Sequence, residues 1–341
     1  MKDSKKNHVL TISVLFVVLV AVFLYSLTRG KYPVKISEIF AVFNHYLFGG
    51  EENYEKAVAI SIVRIRIPRL LTCIFCGLGL SISGATYQGV FRNPMVSPDL
   101  LGASSGAACG ACIAILFDCS TFETHLIAFV CGLLAVLLTY TVSSIVSRGS
   151  NSTIALVLTG IVVSALFNAG VSITKTLADT DAKLGDITFW LMGAMTHTTI
   201  KTVWLLVIPV VISCIPMLLF SYQLNVITFG DDEAKTLGVN VKVLRFVFIL
   251  CSTFVTAAAV SACGIVGWIG LVIPHLVRMV IGPNYKTLLP ASALTGAIFL
   301  MLVDNISRVY CQVEIAIGVL TAIVGAPFFL ILLTTKRGEL E

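Results

Sequence analysis

Thr228–Arg245 reads TFGDDEAKTLGVNVKVLR, and six of its eighteen residues are Asp, Glu, Lys or Arg in a 341-residue chain that is 12% charged and 57% hydrophobic. This segment belongs in water, while its flanks belong in lipid: the mean hydropathy of the chain, +0.97, lies far above that of an ordinary water-soluble domain. Apolar runs near the roughly 20 residues that a helix needs to cross the hydrocarbon layer recur on both sides of it. Such runs keep every backbone hydrogen bond inside its own segment, so the expected fold is all-α, a polytopic membrane helical bundle rather than a barrel.

Ten spans are expected, at roughly 9–27, 67–91, 98–117, 125–146, 153–177, 202–221, 243–263, 266–282, 287–308 and 314–334, all in one transmembrane domain covering 1–341. The first run follows Lys2, Lys5 and Lys6 as a signal peptide would, but it is too long and lacks a small-residue cleavage site, so it reads as a retained span. Placing the N-terminus in the cytosol puts Arg92, Arg148, Lys235, Lys242, Lys286, Lys336 and Arg337 there too, with the C-terminus and 228–245, and leaves the acidic loop Glu51–Glu55 outside. Leu184–His197, LGDITFWLMGAMTH, is apolar but too short to cross; a short external or re-entrant helix is predicted, with Trp190 at the interface.

The composition removes several function classes. The net charge of +5 is scattered over the ends of apolar runs and forms no basic stripe, which argues against nucleic acid. Eight of the ten cysteines (73, 76, 109, 112, 131, 214, 251 and 263) lie in or beside apolar runs and read as small buried hydrophobes. Cys119 and Cys311 fall in loops predicted to lie outside, and a bond between them stays open. No GxxxxGK[ST] phosphate loop exists, so any driving nucleotide is bound by another chain. His275, after Pro274, has no second ligand at metal spacing, and no nucleophile and base stand together; neither a metal site nor an enzyme is predicted.

Within 228–245, Thr228 and Asp231 have the spacing of a capping box, and Asp231, Asp232 and Glu233 suit the positive end of a helix. Gly238 can stop that helix in a left-handed cap, and Asn240 can cap a second one running into the seventh span. Two short helices joined by a glycine make a compact knob for a soluble partner; the alternative is an idle solvated loop. Gly102, Gly106 and Gly110, and likewise Gly77, Ser81 and Ala85, repeat at four-residue spacing and predict close helix packing. Gly160, Ser164, Asn168, Ser172 and Thr176 also recur every four residues, as a pathway lining or as hydrogen-bonded packing. Arg64, Arg66, Arg69 and Arg308 lie at external span ends, where they either snorkel to lipid phosphates or meet an acidic partner. Asp304, one turn before Arg308, predicts an intrahelical ion pair, with a proton relay as the alternative.

RIPRLL and SGATYQGVFRNPMVSPDLLGASSGA between Arg66 and Ala107, FGDDEAKTLGVNVKVLR, GIVGWIGLVIPHLVRMVIGPNYKTLLPASALTGA from Gly264 to Ala297, and IGVLTAIVGAPFFLILL near the end together resemble permeases of the iron-siderophore, haem and cobalamin ABC importer family. The resemblance runs from about residue 60 to the C-terminus. It implies a ten-helix subunit of the plasma membrane that works as a dimer with a second permease subunit, identical or paralogous, and encloses the pathway at the dimer axis. It also implies two ATP-binding subunits, which hold the ATP and Mg, and an extracytoplasmic substrate-binding protein; no cofactor is bound by this chain. By motif position, Asp231, Asp232, Glu233, Ala234, Leu237, Gly238, Val239, Asn240 and Val241 dock the ATPase, and Arg66, Arg69 and Arg308 dock the binding protein. Asn151, Ser152 and Thr153 match a cytosolic gate, and Ser164, Asn168 and Ser172 a pathway lining. Ile154 and Tyr87 depart from some relatives. The implied cargo is an iron-siderophore, with haem or cobalamin as alternatives. A proton-coupled secondary transporter using Asp304 is the rival from another class, and it leaves the charged segment unexplained.

Overall fold

The computed structural model describes residues 2–30, 32–50, 54–146, 152–178, 180–196, 198–309 and 314–335, and these form helices and turns without a strand. The helices are α1 (Lys2–Thr28), α2 (Ile36–Phe48), α3 (Lys56–Ala59), α4 (Ile67–Val90), α5 (Ala103–Leu116), α6 (Thr121–Val146), α7 (Ser152–Leu177), α8 (Thr180–Leu191), α9 (Ile200–Leu219), α10 (Ser221–Phe229), α11 (Asp231–Thr236), α12 (Val241–Cys263), α13 (Ile269–Ile281), α14 (Tyr285–Val309) and α15 (Ile317–Thr335). A π-helical stretch, Ile60–Arg66, joins α3 to α4, and a 3₁₀ turn, Pro98–Leu101, leads into α5. Among the described residues six helices are long and apolar enough to cross a membrane: α6, α9, α12, α14 and the segments Val9–Thr28 and Ile154–Leu177. With the shorter apolar segments Ala103–Leu116, Ile269–Ile281 and Ile317–Ile331, and with α4, they fall on the ten runs expected from sequence.

Small residues decide which helix lies at the centre. In lipid, helices gain little by hiding apolar surface from one another, so close van der Waals contact must hold them. Helix α4 is buried along nearly its whole length and packs on α9, α12, α13 and α14. A Cβ on Gly77 would lie 2.2 Å from the Gly296 carbonyl oxygen, and one on Gly84 only 1.8 Å from that of Gly270, so backbone meets backbone at both places. Gly106 and Gly110 bring α5 onto Cys131 of α6 in the same way. Gly102 does not share that face: its φ of +86° places it in the left-handed turn before α5. Hydroxyls complete the core, as Ser83 Oγ donates to the Ser252 carbonyl at 3.1 Å and Tyr87 Oη lies 3.2 Å from Thr253 Oγ1. Cys73, Cys76, Cys109, Cys112, Cys214 and Cys263 are buried; Cys311 lies outside the described residues.

Chain alternation places the α4–α5 turn, the 228–245 segment and the α13–α14 turn at one end of the bundle, and the start of α4, the end of α14 and α8 at the other. Asn225 of α10 supports this pairing, since its amide nitrogen donates to Asn284 Oδ1 at 3.1 Å and its oxygen accepts from the Tyr285 N–H at 2.9 Å. Helix α8 is the short helix predicted before the sixth span, but it starts four residues earlier than Leu184 and stops at Leu191, because Gly193 turns left-handed at φ +77°. Sequence reading missed α2 and α10. Helix α2 is held by Glu38, whose carboxylate accepts from the Lys35 N–H at 2.8 Å, and ends at left-handed Gly49.

Candidate functional site

The charged segment is a knob built from two helix ends. Gly230 enters it with φ +146°, and Gly238, at φ +77°, ends α11. The Val239 N–H reaches the Ala234 carbonyl at 3.0 Å and the Gly238 N–H that of Lys235 at 2.9 Å, the bond pair of a Schellman stop. Asn240 Oδ1 then accepts from the Val243 N–H at 3.2 Å and starts α12. The predicted capping box does not form: the Thr228 hydroxyl donates back to the Asn225 carbonyl at 2.6 Å inside α10, and the N-cap of α11 is Gly230, which has no side chain to offer.

The knob has an inner and an outer side. Ala234 is fully buried against Val226 and Val241, with Val239 packed on them. Asp232, Glu233, Leu237, Gly238 and Asn240 face outward, and Leu237 is 66% exposed, a large apolar side chain amid charge. A hydrogen bond from Lys235, at 2.8 Å, holds the Asp232 carboxyl below its usual range. Asp231 turns inward. Its carboxylate accepts two bonds from Arg245 Nη2 of α12, at 2.9 and 3.1 Å, and one from Arg92 Nη2 at 3.2 Å, just beyond α4. Nothing in local sequence pairs Arg92 with a carboxylate 139 residues later; only the FRNP motif around it singles it out.

At the opposite end Arg66, Arg69 and Arg308 come together, but as buried groups that are 3, 7 and 8% exposed. Arg66 donates to the carbonyls of Leu27 and Tyr32, and Arg308 to those of Ser26 at 2.8 Å and Arg29 at 3.0 Å. The Ser26 and Leu27 carbonyls are among those that the C-terminus of α1 leaves without helical partners and that carry its partial negative charge. Arg69 donates through Nε to Asp304 Oδ1 at 2.7 Å and through Nη2 to Glu314. Asp304 also contacts Arg308, with Nε 3.0 Å from Oδ2, so the predicted intrahelical pair exists as the second of two partners. The snorkelling alternative does not apply to these three, because their guanidinium groups point into the protein. The exposed arginines of this end are Arg29 and Arg64.

On α7, Gly160 packs against the backbone of Leu100 and Ser164 is half-buried, whereas Asn168, Ser172 and Thr176 are exposed. Their own helix satisfies the hydroxyls: Ser172 donates to the Asn168 carbonyl at 3.0 Å and Thr176 to that of Ser172 at 2.9 Å. A polar face at membrane depth thus stands open on the single subunit. Ser152 and Thr153 open α7, and Asn151 lies outside the described residues. Tyr87 is buried in the core beside Thr253. A cavity of about 410 Å³, lined by residues that include Asp118, Cys119, His125, Asp186 and Trp190, lies at the end away from the knob. Among the described residues no three His, Cys, Asp or Glu side chains stand close enough to hold a metal.

A bundle of membrane-crossing helices, tied by glycine contacts and carrying a water-facing knob, defines a multi-pass membrane permease. The chain belongs to the FecCD transport family, whose model matches residues 18–335. It is 36% identical over 338 residues to the molybdate import system permease protein MolB of Haemophilus influenzae, covering 96% of each chain. The hemin transport system permease protein HmuU of Yersinia pestis is 36% identical over 284 residues, covering 81% of this chain and 84% of that one. The cobalamin import system permease protein BtuC of Halobacterium salinarum is 38% identical over 283 residues, covering 83% and 75%. A solved structure described as an inward-facing conformation of a metal-chelate type ABC transporter superposes with a TM-score of 0.84 at 34% identity, covering 95% of this chain and 98% of that one.

Proposed function

We propose that this chain is the permease subunit of an importer in the cytoplasmic membrane that carries a bulky iron chelate, an iron-siderophore, inward on ATP hydrolysed by separate subunits. The knob carries the reading: Leu237 and several charged side chains stand exposed over a buried base of Val226, Ala234 and Val241, and the Lys and Arg distribution supports a cytosolic side for that end. Asp232, Glu233, Leu237, Gly238 and Asn240 form the contact for the ATPase, while Ala234, Val239 and Val241 hold its shape. Both chain termini share that cytosolic side. A second permease subunit, identical or paralogous, covers the exposed Asn168 and Ser172 face of α7, and the two faces line the pathway, with Asn151, Ser152 and Thr153 at its cytosolic gate. An extracytoplasmic binding protein delivers cargo to the end that holds Arg66, Arg69 and Arg308. Neither ATP nor Mg is bound by this chain. Relatives named for iron chelatin and Fe(3+)-citrate support an iron chelate; relatives named for molybdate, hemin and cobalamin define the competing cargoes.

The test is uptake into proteoliposomes holding this permease, its ATPase and its binding protein, with ATP inside. ATP-dependent accumulation of a labelled ferric siderophore, unaffected by collapse of the proton gradient, is expected. Accumulation of molybdate, haem or cobalamin in its place would overturn the cargo, and dependence on the proton gradient would overturn the mechanism. Replacing Glu233 and Leu237 together is expected to release the ATPase from the membrane; continued association would remove the knob as its docking site.

A further inference from the structure

Arg92 stands where a glycine is normal. Helix α4 ends with the Arg92 N–H on the Gly89 carbonyl at 3.2 Å and the Asn93 N–H on that of Gln88 at 3.1 Å, and Arg92 itself has φ +50°. Helix ends of this kind place Gly, or sometimes Asn, at the left-handed position, because a Cβ there crowds the following carbonyl. The sequence accepts that backbone cost for a side chain, and the side chain reaches the knob: Arg92 Nη2 donates to Asp231 Oδ1 at 3.2 Å. Arg245 holds the same carboxylate from α12. One acidic group at the first residue of α11 therefore joins the knob to two helices at once. Helices α10 and α12 flank the knob in the chain and pack on α4 through side chains, and Arg92 adds the ionic contact that ties the knob's own carboxylate directly to the end of α4. Helix α4 is also the helix on which α9, α12, α13 and α14 pack, and its start carries Arg69 in the buried cluster at the far end.

We propose that Arg92 is a positioning residue for energy coupling: through Asp231 it makes α4 move with the knob, so that displacement of the knob reaches the centre of the bundle. This rests on the reading that the knob receives the ATPase. An ion pair as exposed as this one adds little to stability, so stability does not account for an arginine on a strained backbone. A glycine there would relax the backbone and lose only the connection. The strut and a merely structural role consequently predict opposite signs for the same substitution.

The experiment compares Arg92→Gly and Arg92→Lys in the assembled transporter, reading thermal stability, ATPase association, ATP turnover and cargo imported per ATP. Arg92→Gly is expected to keep or raise the unfolding temperature, retain the ATPase and its turnover, and lower cargo per ATP about tenfold, the size of an ordinary coupling between sites. Arg92→Lys, which keeps the charge, is expected to restore a substantial part of it. Wild-type cargo per ATP in Arg92→Gly overturns the proposal, as does a loss of transport that merely follows lost stability or lost ATPase. The Glu233 and Leu237 double variant serves as the independent arm: if it keeps the ATPase bound, the docking reading fails whatever Arg92→Gly does.

Discussion

Arg69 of α4 and Asp304 of α14, 235 residues apart in sequence, meet through a 2.7 Å hydrogen bond from Nε to Oδ1 with the aspartate fully buried. Around this pair the end of α1 is fastened by Arg66 and Arg308, and the residues before α15 by Glu314. Three helices and the segment before α15, from distant parts of the chain, thus meet in one cluster at the end remote from the knob. Breaking a buried pair leaves the remaining charge uncompensated, which costs more than the pair contributes when intact.

Asp304→Asn should therefore leave Arg69 with Glu314 alone and Arg308 with neutral acceptors, and destabilise the subunit by up to about 3–5 kcal/mol. Thermal unfolding in detergent is expected to show a marked drop. An unchanged unfolding temperature, combined with loss in the variant of a proton-gradient-driven transport that the wild type performs, would instead make Asp304 a relay.

Charge reversal separates the buried arginines from the exposed ones. Arg69→Glu sets a carboxylate against Asp304 and Glu314, and folded yield by size-exclusion chromatography is expected to collapse. Arg64→Glu, on the exposed side of the π-helical stretch, is expected to leave yield unchanged and to weaken binding-protein association. Equal yields for the two variants would contradict the buried cluster.

Gly84→Ala places a methyl group 1.8 Å from the Gly270 carbonyl oxygen, a distance that requires α4 and α13 to separate. Overpacking of this kind costs about 1–3 kcal/mol or more. Gly185→Ala meets nothing within 4 Å and serves as the control. The first is expected to lower the unfolding temperature and the second to leave it unchanged.

Asn240→Ala removes the cap on α12, worth about 1 kcal/mol, at the joint of the knob. Faster amide hydrogen exchange is expected at Val241 to Leu244, with the transmembrane part of α12 unaffected. Uniform exchange along α12 would mean that the cap has no local role.

Sequence patterns of short range were legible. The ten apolar runs, the short helix before α9, the glycine stop at 238 and the cap at 240 all depend on residues within a few positions of each other, where periodicity and backbone preference act directly. Helix α10 escaped because SYQLNVITF mixes polar and apolar residues at a membrane boundary, with no apolar run to mark it. The capping box failed for a local reason as well: Thr228 had a nearer acceptor in the helix that went unrecognised.

The chain by itself determined that this protein lies in lipid, how its spans divide and where a water-facing knob interrupts them, because hydropathy and backbone preference are properties of neighbouring residues. Only the tertiary structure decided what the charges do. Arg66, Arg69 and Arg308 stand at one end of the bundle as sequence parity requires, yet they point inward because the end of α1 and Asp304 lie within reach. Asp231 belongs to the knob by sequence but to α4 and α12 by contact. A charge at a membrane boundary takes the partner that folding brings closest, and that partner is more than a hundred residues away in each of the contacts from Arg69 to Asp304 and from Arg92 to Asp231.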